Sequence, residues 1–156
     1  MQTIINAFIN DPKISVVGVS TDKSKWGYSL FKALSDKGYT VYPVNPKYSF
    51  IDGIKCYASV ADLPPDVSNV ILAISQSWTD AVVNEMVNSS IKRVWFHKGA
   101  GGIGSMTESA LHICGENKIE VVFGLCPMMF FPPVGIHKVH LWIKKITHTL
   151  PVGLKL

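Results

Sequence analysis

The chain has 156 residues, of which 47% are hydrophobic and 17% charged, with a mean hydropathy of +0.24; that composition suits one domain with a well-filled core, and residues 1–156 are expected to form one. No apolar run approaches the ~18–20 uninterrupted residues of a membrane span, Met1 to Ile9 makes a poor signal peptide, and the expected setting is the cytoplasm. The net charge of +4 and pI near 9.0 suit an anionic ligand and would equally fit weak attraction to nucleic acid, although neither nucleic acid nor membrane is expected as a partner.

Met1 to Ile9 reads as a short amphipathic helix stopped by Asn10-Asp11-Pro12. An alternation then begins. Short β-branched runs at about Ile14 to Gly18, Thr40 to Val44, Asn69 to Ile74, Arg93 to His97 and Glu120 to Phe123 read as strands. Helices are expected between them: about Tyr28 to Lys37, stopped by Gly38; a short one near Val60 to Leu63 capped by Ser59; Trp78 to Asn88 from Ser77; and about Met106 to Asn117 from Ser105. Ser77 with Asp80, and Ser105 with Glu108, match the pattern in which a cap hydroxyl and an acid three residues on satisfy the first helical N–H groups. Ile136 to Ile146 carries one apolar stripe and reads as a last helix. Together these imply a Rossmann-like, doubly wound α/β sheet of about five parallel strands, with helices on both faces and an extra C-terminal helix.

The stretch Lys13 to Ser20, a helix, and then Gly38 to Lys47 spell a β-α-β nucleotide-binding unit. Dinucleotide sites of this kind close the second strand with an acid that accepts hydrogen bonds from the adenine ribose. Here the strand runs out into Val44-Asn45-Pro46-Lys47. A neutral amide followed by a lysine would tolerate or attract a phosphate on that ribose, and coenzyme A carries one. In such sheets the crevice opens at the carboxyl ends of the strands where the order reverses. With the order 3-2-1-4-5, the loop at Gly18-Val19-Ser20 and the loop Gly99 to Ser105 would face one crevice, each followed by the positive end of a helix. Thr21 to Tyr28 is basic: Lys23 and Lys25 would close on a pyrophosphate, Trp26 or Tyr28 would cover an apolar part of the ligand, and Gly27 would admit close backbone approach. The same loop also reads as a solvated turn whose aromatics pin the helix.

Gly99 to Gly104 spells G-x-G-x-x-G, an NAD fingerprint, but the acid at suitable spacing, Glu120, opens its strand instead of ending it. No Ser-His-Asp or Cys-His arrangement is readable. Cys56, Cys114 and Cys126 are odd in number and lack a C-x-x-C pair, so reduced thiols are expected. His137 and His140 lie one helical turn apart, yet no fourth metal ligand has characteristic spacing.

Val-Val-Gly-Val-Ser at 16–20, the basic loop, Gly38 to Pro46, Asp52-Gly53-x-Lys55-Cys56-Tyr57 and Ala61-Asp62-Leu63-Pro64 together resemble the CoA-binding domain family, small stand-alone relatives of the N-terminal domain of the succinyl-CoA synthetase α subunit. The similarity covers about residues 11–145. It implies that Gly18, Val19 and Ser20 meet the phosphates, that Lys25 is a basic position in the same loop, and that Val44, Asn45, Pro46 and Lys47 surround the adenosine. It further implies that Ile74 and Ser75 complete the pocket, and that Cys126 and Pro127 line the cleft near the pantetheine end. Met128 to Phe131 would wall pantetheine or belong to the core. The synthetase carries its phosphorylated histidine in a second domain that has no counterpart in this sequence. The reading is a domain that binds coenzyme A or an acyl-CoA without catalysis of its own. Its rivals are an NAD(P)-binding oxidoreductase or redox sensor, and a module docking through its last helix. A homo-oligomer stays open.

Overall fold

The computed structural model describes residues 1–98 and 102–131. In chain order these form α1 (Gln2–Asn10), β1 (Lys13–Val17), α2 (Trp26–Asp36), β2 (Thr40–Val44), β3 (Phe50–Ile51), β4 (Ile54–Lys55), a 3-10 turn (Val60–Asp62), β5 (Asn69–Leu72), α3 (Gln76–Met86), β6 (Arg93–His97), α4 (Glu108–Glu116), β7 (Glu120–Leu125) and a second 3-10 turn (Pro127–Met129). The main sheet is parallel throughout, in the order β2-β1-β5-β6-β7. A parallel sheet covered by helices has no wet face, which is why all four residues of β5, Asn-Val-Ile-Leu, are buried. One core packs Ile5 and Phe8 of α1 and Leu30, Phe31 and Leu34 of α2 on Ile14, Val16, Ile71 and Trp95. The other packs Val83 and Met86 of α3 and Ala110 and Cys114 of α4 on Val17, Val70, Leu72, Val94 and Phe96.

Three expectations are corrected. β5 pairs directly with β1, so counting only the five parallel strands the order is 2-1-3-4-5, and the reversal falls between β1 and β5. β6 therefore lies one strand farther from β1 than expected. The helix caps also move. α3 starts from Ser75 and not Ser77, and α4 starts from Thr107, whose Oγ1 accepts from the Ala110 N–H at 3.0 Å. Ser105, 1% exposed, instead donates its hydroxyl to the Leu72 carbonyl at 3.1 Å. Finally, Asp52 and Gly53, at φ 48 and 78, turn a small antiparallel hairpin between β3 and β4 that no strand reading anticipated. The expected last helix, with His137 and His140, lies outside the described residues.

A polar row crosses the amino ends of the strands. The Asp11 carboxylate accepts from the Lys13 N–H (2.9 Å) and Asn69 Nδ2 (2.7 Å), Asn69 Oδ1 accepts from Arg93 Nη1 (3.1 Å), and Arg93 Nε donates to Glu120 (3.0 Å). Asn69 is fully buried. Asn69→Ala is expected to lower stability by about 1–3 kcal/mol in urea unfolding, since it leaves two charged neighbours short of a partner. A loss under ~0.5 kcal/mol, the level of a bland surface change, would show that water replaces the amide.

Candidate functional site

β1 ends where Gly18 turns the chain at φ +92. Its N–H donates to the Val44 carbonyl and the Ala73 N–H donates to the Val17 carbonyl, both at 2.9 Å, so both neighbouring ladders continue to the very mouth of the crevice. A Cβ on Gly18 would lie 2.5 Å from the Ala73 oxygen and 2.7 Å from Ile74 Cγ2. The ends of β1 and β5 thus touch at the reversal point, and Ile74, half-buried, sits against Gly18. Ser75, exposed, begins α3. Gly27, in the first turn of α2, lies directly on the Gly18 carbonyl, where a Cβ would collide with the backbone. Two helix starts, of α2 and α3, therefore flank the same crevice.

The loop between β1 and α2 is internally braced. Asp22 Oδ1 accepts from the Ser24 N–H (2.9 Å) and hydroxyl (2.7 Å), which hold its carboxyl below the ordinary range. The Asp22 N–H donates to Ser20 Oγ at 3.1 Å. Lys23 and Lys25 stay exposed, and Lys25 precedes the first turn of α2. The two aromatics turn elsewhere. Tyr28 is 8% exposed and donates its hydroxyl to Asp52 at 2.7 Å, which raises its pKa. Trp26 Nε1 donates to His97 Nε2 at the end of β6, the rings meeting edge to face at 4.3 Å. His97 accepts that bond only as a neutral imidazole, and burial pushes its pKa down to about 4.

At the end of β2, Val44 is buried, Asn45 half-buried, and Pro46 and Lys47 exposed. Asn45 Nδ2 donates to the Val19 carbonyl at 2.7 Å and its Oδ1 accepts from the Lys47 N–H at 3.0 Å. This residue clasps the loop after β1 to the loop after β2. An aspartate has no donor for Val19, so the amide has a structural reason as well as the ribose argument. Tyr48 adds a second clasp that the sequence reading missed, its hydroxyl 3.4 Å from Ser20 Oγ. Hydrogen bonds from Ser20 and then Thr21 lower its pKa.

Gly18, Val19, Ser20, Gly27, Asn45 and Ile74 thus gather around one crevice, with Lys25, Lys47 and Ser75 on its border. Gly99 lies outside the described residues. Cys126, half-buried, and Pro127, buried, follow β7. That is three interstrand steps from β1, or about 14 Å, so only an extended arm of a ligand reaches both ends. Met128, Met129, Phe130 and Phe131 are all at most 9% exposed and belong to the core. Among the described residues no helix is long and apolar enough to cross a membrane.

The parallel sheet with its reversal-point crevice defines a Rossmann-like α/β domain. The chain belongs to the CoA-binding domain family, whose sequence model matches residues 12–132. It is 35% identical over 86 residues to the ADP-forming acetate–CoA ligase of Methanocaldococcus jannaschii, a match covering 54% of this chain and 12% of the ligase. It is 33% identical over 92 residues to the α subunit of ADP-forming acetate–CoA ligase II of Pyrococcus furiosus, covering 58% of this chain and 20% of that subunit. The chain therefore spans only a small part of these curated relatives. A solved structure of a conserved hypothetical protein from Pyrococcus furiosus, 35% identical, superposes with a TM-score of 0.69 over 74% of this chain and 96% of that one.

Proposed function

We propose that the chain binds coenzyme A or an acyl-CoA in the crevice at the carboxyl ends of β1, β2 and β5, as a binding domain without chemistry of its own. One observation carries this reading: the Gly18–Ser20 backbone is clasped to an acid-free end of β2, with Asn45 and Lys47 where a dinucleotide site keeps its carboxylate. The pyrophosphate lies along Gly18, Val19 and Ser20 near the start of α2, with Lys25 beside it. The adenosine lies against Val44 to Lys47 and Ile74-Ser75, and the pantetheine arm runs toward Cys126 and Pro127. NADP is the second reading, because its ribose also bears a phosphate.

A thermal-shift series with CoA, acetyl-CoA, dephospho-CoA, NAD, NADP and ATP tests it. At a hundredfold excess over Kd, CoA is expected to stabilise by about 2.7 kcal/mol, or ~5–10 °C for a chain of this size. A larger shift with NAD would overturn the reading. Lys47→Ala is expected to weaken CoA by about 1–3 kcal/mol and dephospho-CoA far less, the difference shrinking as salt rises.

Cys126 offers a separate check. With CoA disulfide, its thiolate would attack one sulfur and release one CoA thiol, leaving a protein–CoA mixed disulfide. Intact-mass spectrometry is expected to show that adduct in wild type and not in Cys126→Ser. Modification confined to Cys56 or Cys114 would show that the arm does not reach Cys126.

A further inference from the structure

Trp26, His97 and Cys126 come from three elements to one face of the sheet, and the strand pairing explains how. His97 ends β6 directly opposite Leu125, and the Lys98 N–H donates to the Leu125 carbonyl at 3.2 Å, so Cys126 leaves β7 beside the end of β6. A bulge sets that alignment. Trp95 pairs with Val122 and His97 with Leu125, so Phe123 and Gly124 together span the single step of Phe96, with Gly124 at φ 75. Bulges of this kind re-aim the side chains that follow them. Trp26, Ala73 and Cys126 all pack at the border of the core that α1 and α2 share.

Trp26 opens α2, one residue before the glycine that rests on the Gly18 carbonyl, and its Nε1 donates to His97. Because β5 runs between β1 and β6, the indole spans from beside Gly18 to the end of β6 and lies across the end of β5. It is half-buried, and its edge-to-face contact with His97, at 4.3 Å between ring centroids, adds to the hydrogen bond. A side chain thus occupies the stretch between Gly18 and Cys126 that a pantetheine arm has to follow. Resting on the CoA reading, we propose that the Trp26–His97 pair is a latch on that stretch: the closed pair and the arm compete for the same space, so an arm reaching Cys126 displaces the indole from His97. A ligand that ends at its phosphates leaves the latch shut. The pair therefore selects among ligands by their arms, since only the open fraction of the protein admits one.

The experiment is calorimetric titration of wild type, Trp26→Phe, His97→Leu and the double variant with CoA and with adenosine 3′,5′-bisphosphate, which has the phosphorylated ribose and no arm. Trp26→Phe keeps a ring and removes the donor, while His97→Leu removes the acceptor. Either change is expected to tighten CoA about fivefold, the worth of one net hydrogen bond, and to leave the bisphosphate within about twofold. The double variant is expected to gain no more than either single one, as for two residues that act as a pair. CoA disulfide is expected to modify Cys126 about fivefold faster in Trp26→Phe than in wild type, again the worth of one hydrogen bond. Trp26→Phe carries the test by itself should His97→Leu unfold. CoA affinity and modification rate that are unchanged or lower in Trp26→Phe would overturn the latch while leaving the CoA reading intact. Equal gains for CoA and the bisphosphate would also overturn it, placing the indole over the nucleotide and not over the arm. No binding of CoA by any of the four proteins would overturn both.

Discussion

Gly27→Ala is expected to lower stability by at least ~3 kcal/mol and to abolish CoA binding, even though alanine is the better helix former by about 1 kcal/mol. Propensity loses here because the added methyl would meet the Gly18 carbonyl and Val19 Cα, which are backbone. Relief therefore requires α2 to move off the loop after β1. That loop is tied to Val44 by the Gly18 N–H and to Asn45 through the Val19 carbonyl, so the displacement reaches both sides of the crevice. Urea unfolding and a CoA titration read the two effects separately. An alanine variant as stable as wild type, with unchanged affinity, would show that α2 shifts freely and that its close seat on Gly18 has no role.

The second large effect is an acid-side loss of stability centred on His97. Its folded pKa is about 4, against about 6.5 for an unperturbed histidine. Between those values the unfolded chain binds the proton and the folded chain does not. Stability from this group is therefore complete above pH ~6.5 and falls away as the pH drops toward 4, by at most about 3 kcal/mol. Protonation also removes the acceptor that Trp26 Nε1 uses. In urea melts at intervals from pH 7 to 4, wild type should lose more than His97→Gln by about that amount, since the carboxylates titrate in both. Trp26 emission should change along the same curve. Parallel pH profiles for the two proteins would overturn the assignment.

Much of the fold is legible in the sequence because each parallel strand is a short apolar run bounded by polar or glycine-bearing turns. The order of the strands is not, because which neighbour β5 chooses depends on side-chain packing across the whole sheet and not on its own four residues. Ser105 matched a helix-start pattern better than Thr107 did, yet its hydroxyl is spent on Leu72, a long-range partner that local spacing does not reveal. The hairpin had an overt Asp52-Gly53 turn signal, but its two-residue strands are too short to register as alternation. At the site, Gly18, Gly27 and Asn45 were readable as residue types, while the clasps were not. Tyr28 pointed by position to the ligand and is turned to Asp52 by the hairpin.

The row from Asp11 through Asn69 and Arg93 to Glu120 bears on how the strands find their alignment. A strand buried on both faces has no alternation, so sliding it by one residue exchanges one apolar side chain for another at little penalty. Asn69 is the exception in β5. It stands directly opposite Arg93, which stands directly opposite Glu120. A slip by one residue in either direction would carry the buried amide away from both Asp11 and Arg93. The row therefore acts as an index mark for three adjacent strands. Because it lies at the amino ends, away from the crevice, the loops around the crevice are free to change sequence without putting that alignment at risk.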